Sequence, residues 1–323
     1  MTSQETKTTF PWLDSVKTDP IPVLLKAAPL HIRFQVYRDI LEDSESDTSQ
    51  AFRKNLRTQK ERRTLLNSQN ELGQWPLSGK TSGFKRSQLD TLQFLRQIEV
   101  LNELLVLQVT SKQEKALLGM REVIRYLDNP HEQIRLHQLI HAIYLSIRFE
   151  LDSNPIIKNL TWDILKQQKA DGGWSSLPGE ESCIWTSLFF LWTMGHSAQF
   201  AKNRTLSKGL KYVEENLLNA KSSTLLPGMQ AWDTLLSGGS GLSVLHGGTL
   251  RFLETVQLLQ PDFHDRKIDK LVDWLLSVQL KNSLWPSIVG RDKQGNYDVT
   301  LRVLRVVKHF QSLRISDTEN YDD

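Results

Sequence analysis

The chain has 323 residues, 39% of them hydrophobic and 24% charged, an ordinary globular composition that fits one large helical domain or two small ones. Its 40 basic and 37 acidic residues leave a formal charge of +3, too even a balance to argue for a nucleic-acid partner. The single cysteine, Cys183, excludes an internal disulfide framework; with no long apolar run and no apolar core in MTSQETKTTF, a cytoplasmic protein without a transmembrane segment is expected.

Residues 1–19 are polar and expected to be flexible, with Phe10-Pro11-Trp12-Leu13 as a small apolar anchor. Residues 20–46 read as an N-terminal helical hairpin and linker: proline opens each helix, the second running through Leu41, and an acidic stretch follows. From 47 to 313 apolar positions recur at spacings of three and four, with Gly and Pro at the joints, which predicts helix throughout. The expected helices are 48–69, 89–109, 113–127, 132–149, a central pair within 160–192, then 206–218, 246–259, 265–279 and 297–313. The first carries Arg53, Lys54, Arg57, Lys60, Arg62 and Arg63, read as a solvated outer face. Residues 314–323 are read as an acidic, disordered tail.

One pattern recurs along this series. Gln69 and Trp75, Gln168 and Trp174, and Gln279 and Trp285 each stand six apart across a turn that follows a helix. The glutamine can bond backbone groups left open at a helix end, glycine permits the positive φ a helix exit needs, and the indole covers the turn. The tryptophans lie 99 and 111 residues apart, so each interval holds two helical hairpins.

This pattern resembles the QW-type repeat of the α/α-toroid superfamily, which includes terpene (squalene-type) cyclases and the β subunits of protein prenyltransferases. The segments PLHIRFQVYRDIL (29–41) and DVTLRVLR (298–305) are more specifically similar to uncharacterised bacterial prenyltransferase-like proteins. The resemblance covers residues 20–313. It implies an all-α protein, an α/α toroid of about six helical hairpins with one helix of each pair inside and one outside. The apolar stretches 101–109 and 184–192 then fit inner helices.

In such a ring the inner-helix N-termini converge on one mouth, a setting that favours anions. The ligand-binding candidates there are Lys85, Arg86, Glu181, Cys183, Trp185, His246, Tyr297 and Asp298, expected to serve an isoprenoid or other amphiphile in a central cavity. Glu181-Ser182-Cys183 is similar to the acid-x-Cys zinc pair of protein prenyltransferase β subunits. The matching later helix reads Tyr297-Asp298-Val299-Thr300, without the histidine that would complete the set. No cofactor is therefore expected; a zinc held by Glu181, Cys183 and His246 is the exception to test.

The Asp-x-Asp-Asp cluster of squalene-type cyclases does not occur, so no reaction is assigned. Trp185, Phe189, Trp192 and Trp232 read as core that can also line a cavity. His137 and His141 share a helix face but lack the glutamate of a metalloprotease motif, and read as hydrogen-bonded interior histidines. The alternative to a ligand-binding toroid is a non-catalytic scaffold for a peptide or protein partner, because fold resemblance does not carry function.

Overall fold

The computed structural model describes residues 10–77, 79, 82–130, 134–177, 179–217, 248–287 and 292–319. These are helical, with two isolated bridges, Ser175 to Ser182 and Trp285 to Asn296, and no strand among them. The helices are α1 (Ile21–Ala27), α2 (Leu30–Gln35), α3 (Asp47–Thr58), α4 (Lys60–Asn67), α5 (Arg86–Val106), α6 (Glu114–Asp128) and α7 (Leu136–Arg148), then α8 (Pro155–Lys166), α9 (Ile184–Gly195), α10 (Arg204–Leu217), α11 (Thr249–Leu259), α12 (Arg266–Ser277) and α13 (Tyr297–Glu319). A π-helical turn, Val36–Ile40, extends α2.

Two expectations change. The helix expected over 48–69 is broken at Gln59, whose ψ of 133° turns the chain between α3 and α4. Leu56 and Leu66 would stand about 80° apart on an unbroken helix, and the break lets both be buried. The tail expected from 314 is instead helical through Glu319, because α13 continues past its last apolar turn.

Helices α5, α7, α9, α11 and α13 each pack on the next, while α6 lies on α5, α10 on α9 and α12 on α13. The middle of this row, α9, is buried at every residue from Ile184 to Met194, as an all-round apolar sequence requires. The end of α5 differs, since Val106 is exposed.

The three Gln–Trp corners are built alike. Gln69 Nε2 donates to the Gly73 carbonyl at 2.9 Å, Gln168 to that of Gly172 at 2.8 Å and Gln279 to that of Ser283 at 2.9 Å. Each indole N–H reaches back to a helix carbonyl at 2.7 Å: Trp75 to Leu65, Trp174 to Ile164 and Trp285 to Leu275. All three indoles are fully buried. A β-carbon at Gly119 would sit 2.3 Å from Trp75 and one at Gly209 2.6 Å from Trp174, so glycine on α6 and α10 makes room for the first two rings.

Each glutamine makes a second bond that fixes the next unit. Gln69 donates to the Lys115 carbonyl on α6 at 2.8 Å, and Gln168 to that of Thr205 on α10 at 2.9 Å. Gln279 donates to the carbonyl of Thr18 at 2.7 Å, so the segment before α1 takes the place that α6 and α10 take earlier. Trp12 is buried, and the 3₁₀ turn around it, Pro11–Ser15, packs on α13. Arg305 on α13 pairs with Asp39 and bonds Gln35, Lys308 pairs with Glu42, and Arg38 reaches Gln108 beyond the end of α5. The N-terminal segment therefore contacts both α13 and the residue beyond the end of α5.

Candidate functional site

The residues expected at a common mouth do not share one environment. Lys85 and Arg86 are exposed, and Arg86 faces Asp90 on its own helix at 3.3 Å. Glu181 is exposed, whereas Cys183 is buried at the start of α9 with its N–H on the Trp174 carbonyl. Between them, Ser182 accepts a hydrogen bond from the Tyr212 hydroxyl at 3.0 Å. Burial raises the Tyr212 hydroxyl above its ordinary range, and the acids Asp171, Cys183 and Glu181 nearby push it the same way. His246 and Trp232 lie outside the described residues. Among the described residues no three His, Cys, Asp or Glu side chains stand close enough to hold a metal.

Trp185 is buried, Tyr297 is half-buried against the core, and Asp298 is half-buried as the second residue of α13. Asp298 leads to a site that the spacing of motifs did not reveal. Its charge acts on Arg251 of α11, on Arg302 of its own helix and on His31 of α2. Arg302 holds Glu254 of α11 by two bonds, Nε to Oε1 at 2.6 Å and Nη2 to Oε2 at 2.9 Å. Arg251 approaches the same carboxylate at 3.4 Å and lies over the Trp192 ring, 3.8 Å from its centroid. Tyr144 of α7 stacks on that indole at 4.6 Å, and His196 meets it edge-on at 4.5 Å. One cluster thus spans α7, α9, α11 and α13.

Electrostatics sorts these groups. Burial alone would raise the Glu254 carboxyl, but the charges of Arg302 and Arg251 overcome it and hold it at about 2. Burial draws Arg251 down to about 10, the Glu254 carboxylate offsetting this in part and the like charge of Arg302 adding to it. Arg302, half-buried, ends above its ordinary value because its pairing with Glu254 is bidentate. Burial pulls His196 down to about 4, with Arg148 adding to the effect, so its ring is neutral and its Nδ1 donates to the Trp192 carbonyl at 2.8 Å. His141 is buried, held neutral at about 3 by burial and by His137, and its Nε2 has no hydrogen-bond partner. The hydrogen-bonded pair expected of His137 and His141 therefore gives way to an edge-on contact of His141 with Phe189 at 6.2 Å.

The sequence carries a faint sign of this cluster. Arg251 and Glu254 are charges inside an otherwise apolar run, TLRFLETVQLL, and Asp298 and Arg302 share a face of α13 at a spacing of four. Nothing local to Tyr144, Trp192 or His196 marks their meeting with these charges. No protein-family model matches the chain, and no curated protein matches it significantly.

Proposed function

We propose that the chain is an α/α toroid that binds an amphiphile with an anionic head, and that it is not an acid-initiated cyclase. Its six hairpins would be α1 with α2, α4 with α5, α6 with α7, α8 with α9, α10 with α11 and α12 with α13. The grip of Gln279 on Thr18 supports closure, since it repeats at the chain ends what Gln69 and Gln168 do within the chain. Arg251, buried over the Trp192 ring, with the half-buried Arg302 on the same Glu254 carboxylate, carries the ligand reading. An anion beside Arg251 returns the stabilisation that burial removes, and Trp185, Phe189 and Trp192 offer apolar surface to a chain. A cyclase acid must be protonated before it can act. Glu254, held as an anion by two arginines, is unsuited to that task.

Calorimetry with farnesyl diphosphate, farnesol and a fatty acid tests this reading. Micromolar binding of the anionic compounds is expected, weaker for farnesol, lost in Arg251→Met, and with the ligand recovered unchanged. Silence across the panel overturns it. The scaffold reading then stands, and one observation already favours it: the cluster ties four helices together with its charges paired among themselves, the arrangement of a structural plug.

A further inference from the structure

The chain's positive excess is concentrated at one place. Helices α3 and α4 carry six cations, Arg53, Lys54, Arg57, Lys60, Arg62 and Arg63, against Asp47 and Glu61. The resulting +4 exceeds the +3 of the whole chain, so the remainder is slightly acidic. Five of the six are exposed, and Arg62 is half-buried. Among the described residues none of them makes an ion pair or side-chain hydrogen bond, whereas elsewhere Arg38, Arg125, Arg302, Arg305 and Arg314 all do. Arg53, Lys54 and Arg57 fall within about 100° of arc on α3, and Lys60 and Arg63 within about 60° on α4.

A second observation concerns Arg62. Burial pulls its guanidinium below the ordinary range, and the like charge of Arg57 lowers it further. Two guanidiniums held together without a carboxylate is an arrangement that an external anion relieves. The Gln59 break that separates α3 from α4 also keeps both helices short, so the cations spread over an elbow rather than along one rod.

We propose that this α3–α4 elbow docks the protein on a bilayer surface containing anionic lipids. Clusters of four to eight Lys and Arg residues on amphipathic helices are suited to anionic headgroups. α3 is amphipathic, with Ser49 and Leu56 buried and Arg53, Lys54 and Arg57 exposed. Single-stranded nucleic acid calls for exposed rings on which bases stack. Phe52, the one aromatic residue of these two helices, is instead turned onto Tyr37, with ring centroids 5.5 Å apart. The purpose of docking, access to a membrane-borne amphiphile, rests on the ligand proposed above; the docking itself does not.

Sedimentation with phosphatidylcholine vesicles, with and without phosphatidylserine, tests the proposal. Binding is expected only to the anionic vesicles, weakening as salt rises from about 0.05 to 0.5 M. At roughly fivefold per cation, the triple variant R53Q/R57Q/R63Q should lose about a hundredfold. These side chains are exposed, so its circular dichroism and thermal midpoint should match the parent. Arg96→Gln, a cation paired with Glu99 away from the elbow, should bind as the parent does. Failure to bind anionic vesicles at low salt, equal binding by the triple variant, or tight capture of duplex DNA in place of vesicles overturns the proposal. The calorimetry above uses soluble ligand without vesicles, so the two readings fail separately.

Discussion

At the third corner a serine stands where the first two corners have glycine. Gly73 and Gly172 adopt φ of +83° and +96°, and Ser283, at the same distance from its glutamine, adopts +70°. A side chain in this left-handed region costs about 1–2 kcal/mol, offset in part by the extra freedom glycine has when unfolded. Ser283→Gly is therefore expected to stabilise the fold by about 0.5–1 kcal/mol, read as a rise in the denaturant midpoint; a fall would show that the serine side chain contributes more than its backbone costs. The spacing of Gln and Trp made the corners legible from the sequence, because period survives without coordinates. Gly119 and Gly209 were not legible as their partners, because each meets its indole more than thirty residues further along the chain.

Among the elements, α7 and α9 carry two histidines that burial holds neutral, His141 at about 3 and His196 at about 4. Both folded values lie below the ordinary 6.5, so the unfolded chain binds more protons between them and 6.5. Their contribution to stability is complete above pH 6.5 and is lost as pH falls towards 4 and then 3. The slope is at most about 1.4 kcal/mol per pH unit for each histidine. Glu254 adds a loss of the same sign from 4.5 down to about 2, while Glu103, raised by burial and by Glu99, works the other way. Denaturant midpoints should hold between pH 7.5 and about 6.5 and fall from there to pH 5, and His141→Leu should flatten the fall; an unchanged slope in that variant would show that His141 does not stay neutral in the fold. Helix identity was legible wherever apolar period dominated, as in α6. The Gln59 break and the helical end of α13 were not, because neither changes the local pattern of apolar and polar residues.

For the molecule as a whole, the question is whether the N-terminal hairpin pads an edge or completes a ring. The hairpin formed by α1 and α2 carries no Gln–Trp corner. What it does carry is the receiving side of one: Thr18 accepts from Gln279, its N–H returns to Gln279 Oε1 at 3.3 Å, and Lys17 donates to the Ser277 carbonyl at 2.5 Å. Further along, Asp39 holds Arg305, and the carbonyls of Asp39 and Ile40 accept from Lys308 at 3.1 and 3.2 Å. Contacts more than two hundred residues apart in sequence leave no periodic trace, so the expectation of a closed ring rests on the resemblance and on the all-round apolar stretches 101–109 and 184–192. A completed ring opens cooperatively, because removing one unit uncovers Val303, Val306 and Phe310 on α13, all fully buried. Hydrogen exchange should then give residues 21–40 and α13 the same opening free energy, and Gln279→Ala should lower both together by about 1–2 kcal/mol through the lost bonds to Thr18. If the N-terminal amides exchange early while α13 stays protected, the hairpin is a detachable pad, and the toroid is an open array of five pairs.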